Sequence, residues 1–138
     1  MIPCFTYGTL MCQDIMDEVC GEPLQPVSGW VSGFTRLRVK GEYYPGMVPH
    51  ESARVEGVVY LDVSERAWTR LDHYEGEVYM RHPVEVELAD GKILLAETYL
   101  VRPEFVSCLE STAWSFADFL HDRKQAFQNE YRNDGSLK

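Results

Sequence analysis

The feature that most limits the fold lies between Leu24 and Tyr60, where short β-rich runs follow one another. They are Pro26 to Val31, Phe34 to Val39, Tyr43 to Val48 and Val55 to Leu61, divided by Gly, Pro and Ser. Runs of this length with these punctuators predict a meander of antiparallel strands. Gly29 and Gly33 flank a turn in this reading. Gly41, Gly46 and Gly57 fall where a bulge or a close backbone approach is expected, so the sheet should curve.

Helical segments bracket these strands. Ile2 to Tyr7 is a short apolar and aromatic run that stops at Gly8. Beyond Thr9, Met11, Ile15, Met16 and Val19 recur at helical spacing, and Gly21 and Pro23 end that helix. Ser64 is placed to cap a second helix with Ala67, Trp68, Leu71 and Tyr74 as its apolar face and Gly76 as its stop. Met80 to Leu88 alternates as a strand, Asp90-Gly91 signals a hairpin, Ile93 to Val101 returns and Pro103 closes it. In the tail, Ser111 or Thr112 caps a last helix with Trp114, Phe116, Ala117, Phe119, Leu120, Phe127 and Tyr131 in helical rhythm, read as packing onto the sheet. The pattern is α+β, one domain over residues 1 to 138.

Composition narrows the function. With 45% hydrophobic and 25% charged residues the chain resembles an ordinary globular protein. A net charge of -9 argues against a surface that tracks phosphates, which needs a concentrated basic stripe. Arg36, Arg38 and Lys40 do gather at strand spacing, next to Glu42, and read as a solvated strand face. No apolar stretch approaches a membrane span and no basic segment precedes the first apolar run, so a cytoplasmic protein with no membrane partner is expected. Cys4, Cys12, Cys20 and Cys108 form no Cys-x-x-Cys pair and no ligand-like spacing with His, so free thiols and no metal are expected.

Three segments carry the candidate chemistry. Tyr7-Gly8-Thr9-Leu10 sits where a strand hands over to a helix, with donors exposed at the helix start, an arrangement that can bind an anion. Gly41-Glu42-Tyr43-Tyr44-Pro45-Gly46 follows in mid-chain. Leu71-Asp72-His73-Tyr74-Glu75-Gly76 comes next, with Glu77-Val78-Tyr79-Met80-Arg81 immediately after it. Glu75 ends a helix, where a carboxylate opposes the helix dipole; its placement is easier to explain by use than by stability. Asp72, on the same face, reads as a structural partner of Arg81 or a backbone donor, and His73 and His82 read as surface groups.

Taken in order, these segments resemble the γ-glutamyl cyclotransferase-like superfamily, and most closely its plant avirulence-induced-gene branch. The terminal Trp114-Ser115-Phe116 helix and the four-residue step from Glu75 to Tyr79 are similar to that branch as well. The resemblance implies a mainly antiparallel β-barrel with flanking helices and a C-terminal helix, and a cavity floored by the first loop. It implies that Tyr7, Gly8, Thr9 and Leu10, on to Met11 and Cys12, hold the α-carboxylate and amine of a γ-glutamyl group. Glu75 would be the catalytic acid/base, with Tyr44, Tyr79 and Tyr99 near it in the wall. The implied enzyme needs no cofactor or metal, takes a small γ-glutamyl compound and releases an amine and 5-oxoproline, the work of a transferase or lyase. A homodimer is left open. Two other readings stand beside it: a binding or regulatory module of the same fold without turnover, and a thiol-dependent acyl transferase using Cys12 near a helix start.

Overall fold

The computed structural model describes the backbone of residues 1–133 and their side chains, except those of Arg123 and of residues 130–133. The β-rich region forms two long strands, β2 (Gln25–Val39) and β3 (Pro45–Leu61), where four shorter ones were expected. They pair antiparallel from Gln25↔Leu61 to Arg38↔Pro45, with a register shift between Ser32 and Phe34. Gly33, read as flanking a turn, sits at that bulge with φ +87°. A bulge adds a residue and bends a strand without ending it, which is why the punctuation looked like strand boundaries. Tyr43 and Tyr44 consequently lie in the connection before β3.

The remaining strands are β1 (Cys4–Thr6), β4 (Tyr79–Leu88), β5 (Ile93–Val101) and β6 (Leu109–Ala113). Their order is β3-β1-β5-β4-β2-β6, and the pairing of β2 with β3 closes the first five strands into a barrel. All pairings are antiparallel except β1 with β5, joined at Cys4↔Glu97, so the barrel is mixed but mainly antiparallel. Closure leaves no free edge among those five strands.

Two helices follow the spacing read above. In α1 (Gln13–Cys20), Ile15, Met16 and Val19 are buried. Ser64 caps α2 (Glu65–Glu75) by accepting from the Ala67 N–H at 3.1 Å, and Ala67, Trp68 and Leu71 are its buried face. Gly76, with φ +71° and ψ −155°, stops α2 one residue after Glu75 in a conformation that side chains disfavour. The tail departs from expectation at its start: Ser111 and Thr112 lie in β6, and the cap is Ser115, which accepts from the Asp118 N–H. The helix runs as α3 (Phe116–Asp118), a π-helical turn (Phe119–Arg123) and α4 (Lys124–Asn133). Trp114, Phe119 and Phe127 are buried, Leu120 is exposed, and the Tyr131 side chain lies outside the described residues.

The apolar interior divides in two. Phe5, Val31, Met47, Val55, Val59, Val84, Val86, Ala96 and Leu100 fill one cluster, together with Tyr7. The other lies beneath the helices and joins Ile15, Met16, Trp68 and Leu71 to Tyr79, Tyr99, Trp114 and Phe127. No helix among the described residues is long and apolar enough to cross a membrane.

Candidate active site

A cavity of about 320 Å³ opens where the two clusters meet. Its floor is the end of β1 and the loop after it, Tyr7 to Leu10, which passes into a tight 3-10 turn (Thr9–Met11). Within that turn the Met11 N–H donates to the Gly8 carbonyl and the Cys12 N–H to the Thr9 carbonyl. The N–H groups of Thr9 and Leu10, ahead of these bonds, have no carbonyl to meet inside the turn. Gly8 has to be glycine for a steric reason: a Cβ there would lie 2.7 Å from the Pro45 ring. The first-loop and Tyr-Pro segments of the sequence thus abut.

Tyrosine hydroxyls lock the walls. Tyr7 donates to the Tyr99 carbonyl at 2.7 Å, and Tyr79 donates to the Pro45 carbonyl at 2.7 Å. Thr9 and Tyr74 share a hydroxyl contact of 3.2 Å, which ties the floor to α2. Arg36, expected on a solvated strand face, instead turns inward. It donates to the Tyr7 carbonyl at 2.7 Å and lies 5.3 Å from the centre of the Trp114 ring. Burial pulls its guanidinium pKa below the usual range. The strand spacing was right, but the first loop and the Trp114 ring cover that side.

Glu75 lines this cavity at the last residue of α2. Burial, and then the nearby Asp72 charge, raise its carboxyl from an ordinary 4.5 to about 8. The residue is half-buried. The neighbouring hydroxyls of Tyr74, Tyr79 and Tyr99 are engaged with Thr9, Pro45 and Asp72. The Glu75 charge is felt by Cys4, Tyr7, Tyr79 and Tyr99, whose hydroxyl or thiol groups are all pushed up, chiefly by burial.

The other sequence-based assignments sort as follows. Tyr7, Gly8, Thr9 and Leu10 line the cavity with Glu75, as do Tyr44, Tyr79 and Tyr99. Met11 and Cys12 do not line it: the turn carries the chain away from the cavity after Leu10. Cys12 is buried at the start of α1, and burial pushes its thiol up, the wrong direction for a nucleophilic thiolate. Asp72 accepts from Arg81 at 3.2 Å and from the Tyr99 hydroxyl at 2.5 Å. His73 and His82 are exposed. All four cysteines are free, and no group of three acidic, His or Cys side chains forms a metal cluster among the described residues.

Sequence reasoning missed Cys4, Thr98 and Phe127, which also line the cavity. Cys4 and Thr98 sit on β1 and β5, whose parallel contact brings residues far apart in sequence side by side. Phe127 was read as packing alone, and helical rhythm gives no sign that a packed ring also faces a cavity.

Comparison with known proteins places this geometry. Residues 4–116 match the family described as "Gamma-glutamyl cyclotransferase, AIG2-like". AIG2-like protein C of Arabidopsis thaliana is 31% identical over 124 residues, 89% of this chain and 72% of that protein. An Arabidopsis thaliana protein solved in solution superposes at TM-score 0.74 with 24% identity, over 96% of this chain and 80% of that one. A solved structure called gamma-glutamyl cyclotransferase gives TM-score 0.65 at 17% identity, over 73% of this chain and 66% of that one.

Proposed function

The chain belongs to the γ-glutamyl cyclotransferase, AIG2-like family, and from that premise we propose that it releases an amine and 5-oxoproline from a small γ-glutamyl compound. The observation that supports this most directly is Glu75, a carboxyl held at about 8 in a cavity floored by Tyr7 to Leu10 and open for a substrate proton.

The chemistry needs little else. The substrate's own α-amine is the nucleophile, so the protein supplies geometry and proton transfer. The N–H groups of the first loop hold the α-carboxylate, and the tyrosine wall folds the glutamyl chain until the amine faces the γ-carbonyl. Intramolecular attack at such a distance corresponds to effective molarities of roughly 10⁵ to 10⁸ M. The amine enters as an ammonium and must lose a proton. Glu75 as carboxylate takes it while the new N–C bond closes the five-membered ring. Glu75 then returns that proton to the departing nitrogen as the old C–N bond breaks, and the second ammonium proton passes from the ring nitrogen to the released amine, which leaves as an ammonium. Positioned acid/base residues contribute about 10² to 10⁴ in rate, and most when their pKa lies near the working pH. In the free protein Glu75 is largely neutral at pH 7. A bound ammonium beside it favours the carboxylate form required for the first transfer.

The test is incubation of the purified protein with a panel of γ-glutamyl amino acids and γ-glutamyl amines, with 5-oxoproline and free amine measured together. Equal amounts of both products, lost in Glu75→Gln, are expected. Tight binding of a γ-glutamyl compound without product would favour the binding module.

A further inference from the structure

Asp72 and Arg81 lie outside the cavity lining, yet the fold ties both to its wall. Arg81 on β4 is the cross-strand partner of Tyr99 on β5, and paired residues of an antiparallel ladder project from the same face. α2 covers that face, so one Asp72 carboxylate receives the Tyr99 hydroxyl on one oxygen and the Arg81 guanidinium on the other. Arg81 is further held by Glu97 at 3.5 Å and by the Trp68 ring, whose centre is 4.7 Å from its guanidinium carbon. Trp68 in turn leans on Tyr99 at 6.1 Å between ring centres. Asp72 precedes Glu75 by three residues on α2, a spacing that places side chains as neighbours on one helix face.

We propose that Arg81 is a positioning residue that governs the protonation of Glu75 through Asp72: it fixes and partly neutralises the carboxylate that stands beside the catalytic one. This rests on the cyclotransferase reading and adds to it the groups that set the working pH. The charge at Asp72 opposes ionisation of Glu75, and the charge at Arg81 opposes Asp72 in turn. The field of Arg81 also reaches the cavity lining, where it acts on Cys4 against the effect of burial. Other groups face Glu75 from each neighbouring element: Cys4 from β1, Tyr7 from the first loop, Tyr79 from β4 and Tyr99 from β5. Tyr74 on α2 and Glu42 and Tyr44 before β3 line the same cavity. Burial holds Cys4, Tyr7, Tyr79 and Tyr99 above their ordinary ranges, which leaves the Asp72–Arg81 ion pair, itself joined by Glu97, as the charged group built against this wall.

The two halves of this ion pair must therefore act in opposite directions, which a purely structural role would not produce. Asp72→Asn should lower the Glu75 midpoint and Arg81→Gln should raise it, each by on the order of half a unit to one unit for charges separated by several ångströms of partly solvated protein. Both side chains retain solvent contact, 44% for Asp72 and 37% for Arg81, so both shifts should shrink at high salt.

The experiment is a titration of protein carrying ¹³C-labelled glutamate side chains, followed by NMR from pH 4 to 10. The Glu75 signal is assigned by its loss in Glu75→Gln. Opposite shifts in Asp72→Asn and Arg81→Gln support the proposal. So do a smaller Arg81→Gln shift when Asp72 is already Asn, and a midpoint near the parent value in Arg81→Lys, which keeps the charge if the Gln variant fails to fold. Shifts of the same sign, or none in either variant, overturn it. The readout does not require turnover, so the cyclotransferase reading can fail in the product assay while this result stands.

Discussion

The two apolar clusters of this molecule are built from different side chains, and the difference explains where the site formed. The barrel cluster is mostly aliphatic, with Val31, Val55, Val59, Val84, Val86, Ala96 and Leu100. Backbone approach there is very close: a Cβ on Gly57 would come within 2.1 Å of the Thr6 carbonyl oxygen and 2.7 Å of the Phe5 ring. The cluster beneath the helices contains Tyr60, Tyr79, Tyr99, Trp68 and Trp114, with Tyr43, Tyr44 and Tyr74 packed against it. Aliphatic side chains fill space and ask for no partner, so they close a core. Aromatic side chains with polar tips need acceptors: here Tyr60, Trp68, Tyr79 and Trp114 find backbone carbonyls of distant segments, and Tyr99 finds the Asp72 carboxylate. Rigid rings braced in this way can border an opening without collapsing into it. The barrel half therefore fixes β1 and β5, and the aromatic half holds the cavity that lies between them and α2.

Substitutions can test this division. The largest expected effect is in the aromatic half: Glu75→Gln should lower kcat by about 10² to 10⁴ with the fold intact, checked by product assay and by circular dichroism. Next is Gly57→Ala in the aliphatic half, expected to destabilise by about 3 kcal/mol or more in a urea melt, because the opposing atoms are backbone and a buried ring that cannot yield. Its remaining folded fraction should keep the parent kcat; a selective loss of kcat would mean that the barrel half takes part in chemistry as well.

The pH dependence comes third. With its folded pKa near 8 and an ordinary value of 4.5, Glu75 binds more protons in the folded state between those two limits. Stability should therefore fall as pH rises from about 4.5 to 8, and Glu75→Gln should flatten that slope and melt higher than the parent at pH 9. Over the same window kcat/KM should rise with pH towards about 8, since the free protein must present a carboxylate. A parent profile flat from pH 5 to 9 would remove Glu75 as the titrating group. The smallest effect is expected for Tyr79→Phe, which deletes the bond to the Pro45 carbonyl. A cost of about 1 to 2 kcal/mol in the melt, with KM rising more than kcat falls, would show the tyrosine bracing the wall.

How much of this was legible depended on whether the interactions were local. The caps and stops of α2, Ser64 and Gly76, and the hairpin at Asp90-Gly91 are set by residues within a few positions, and all were read correctly. The long strands β2 and β3 were not, because a bulge at Gly33 and turn chemistry use the same residue types. The cap of the last helix was misplaced by a few residues for a similar reason: Ser111, Thr112 and Ser115 are equally good caps until β6 claims the first two. Arg36 shows the limit most clearly, since its spacing was right and its surroundings were decided by a ring, Trp114, far along the chain. At the site, the contiguous first loop and Glu75 could be read from motifs, while Cys4, Thr98 and Phe127 join through contacts between distant segments.

The sequence alone determined the element types, because turn residues and caps act over short distances, and its motif order carried the family resemblance that implied a mainly antiparallel barrel with flanking helices. Only the tertiary structure decided that Tyr7 to Leu10, the Tyr43-Tyr44-Pro45 segment and Glu75 border one cavity. It alone set the environment of the carboxyl, since the burial that lifts Glu75 towards 8 comes from residues brought beside it by closure of the barrel.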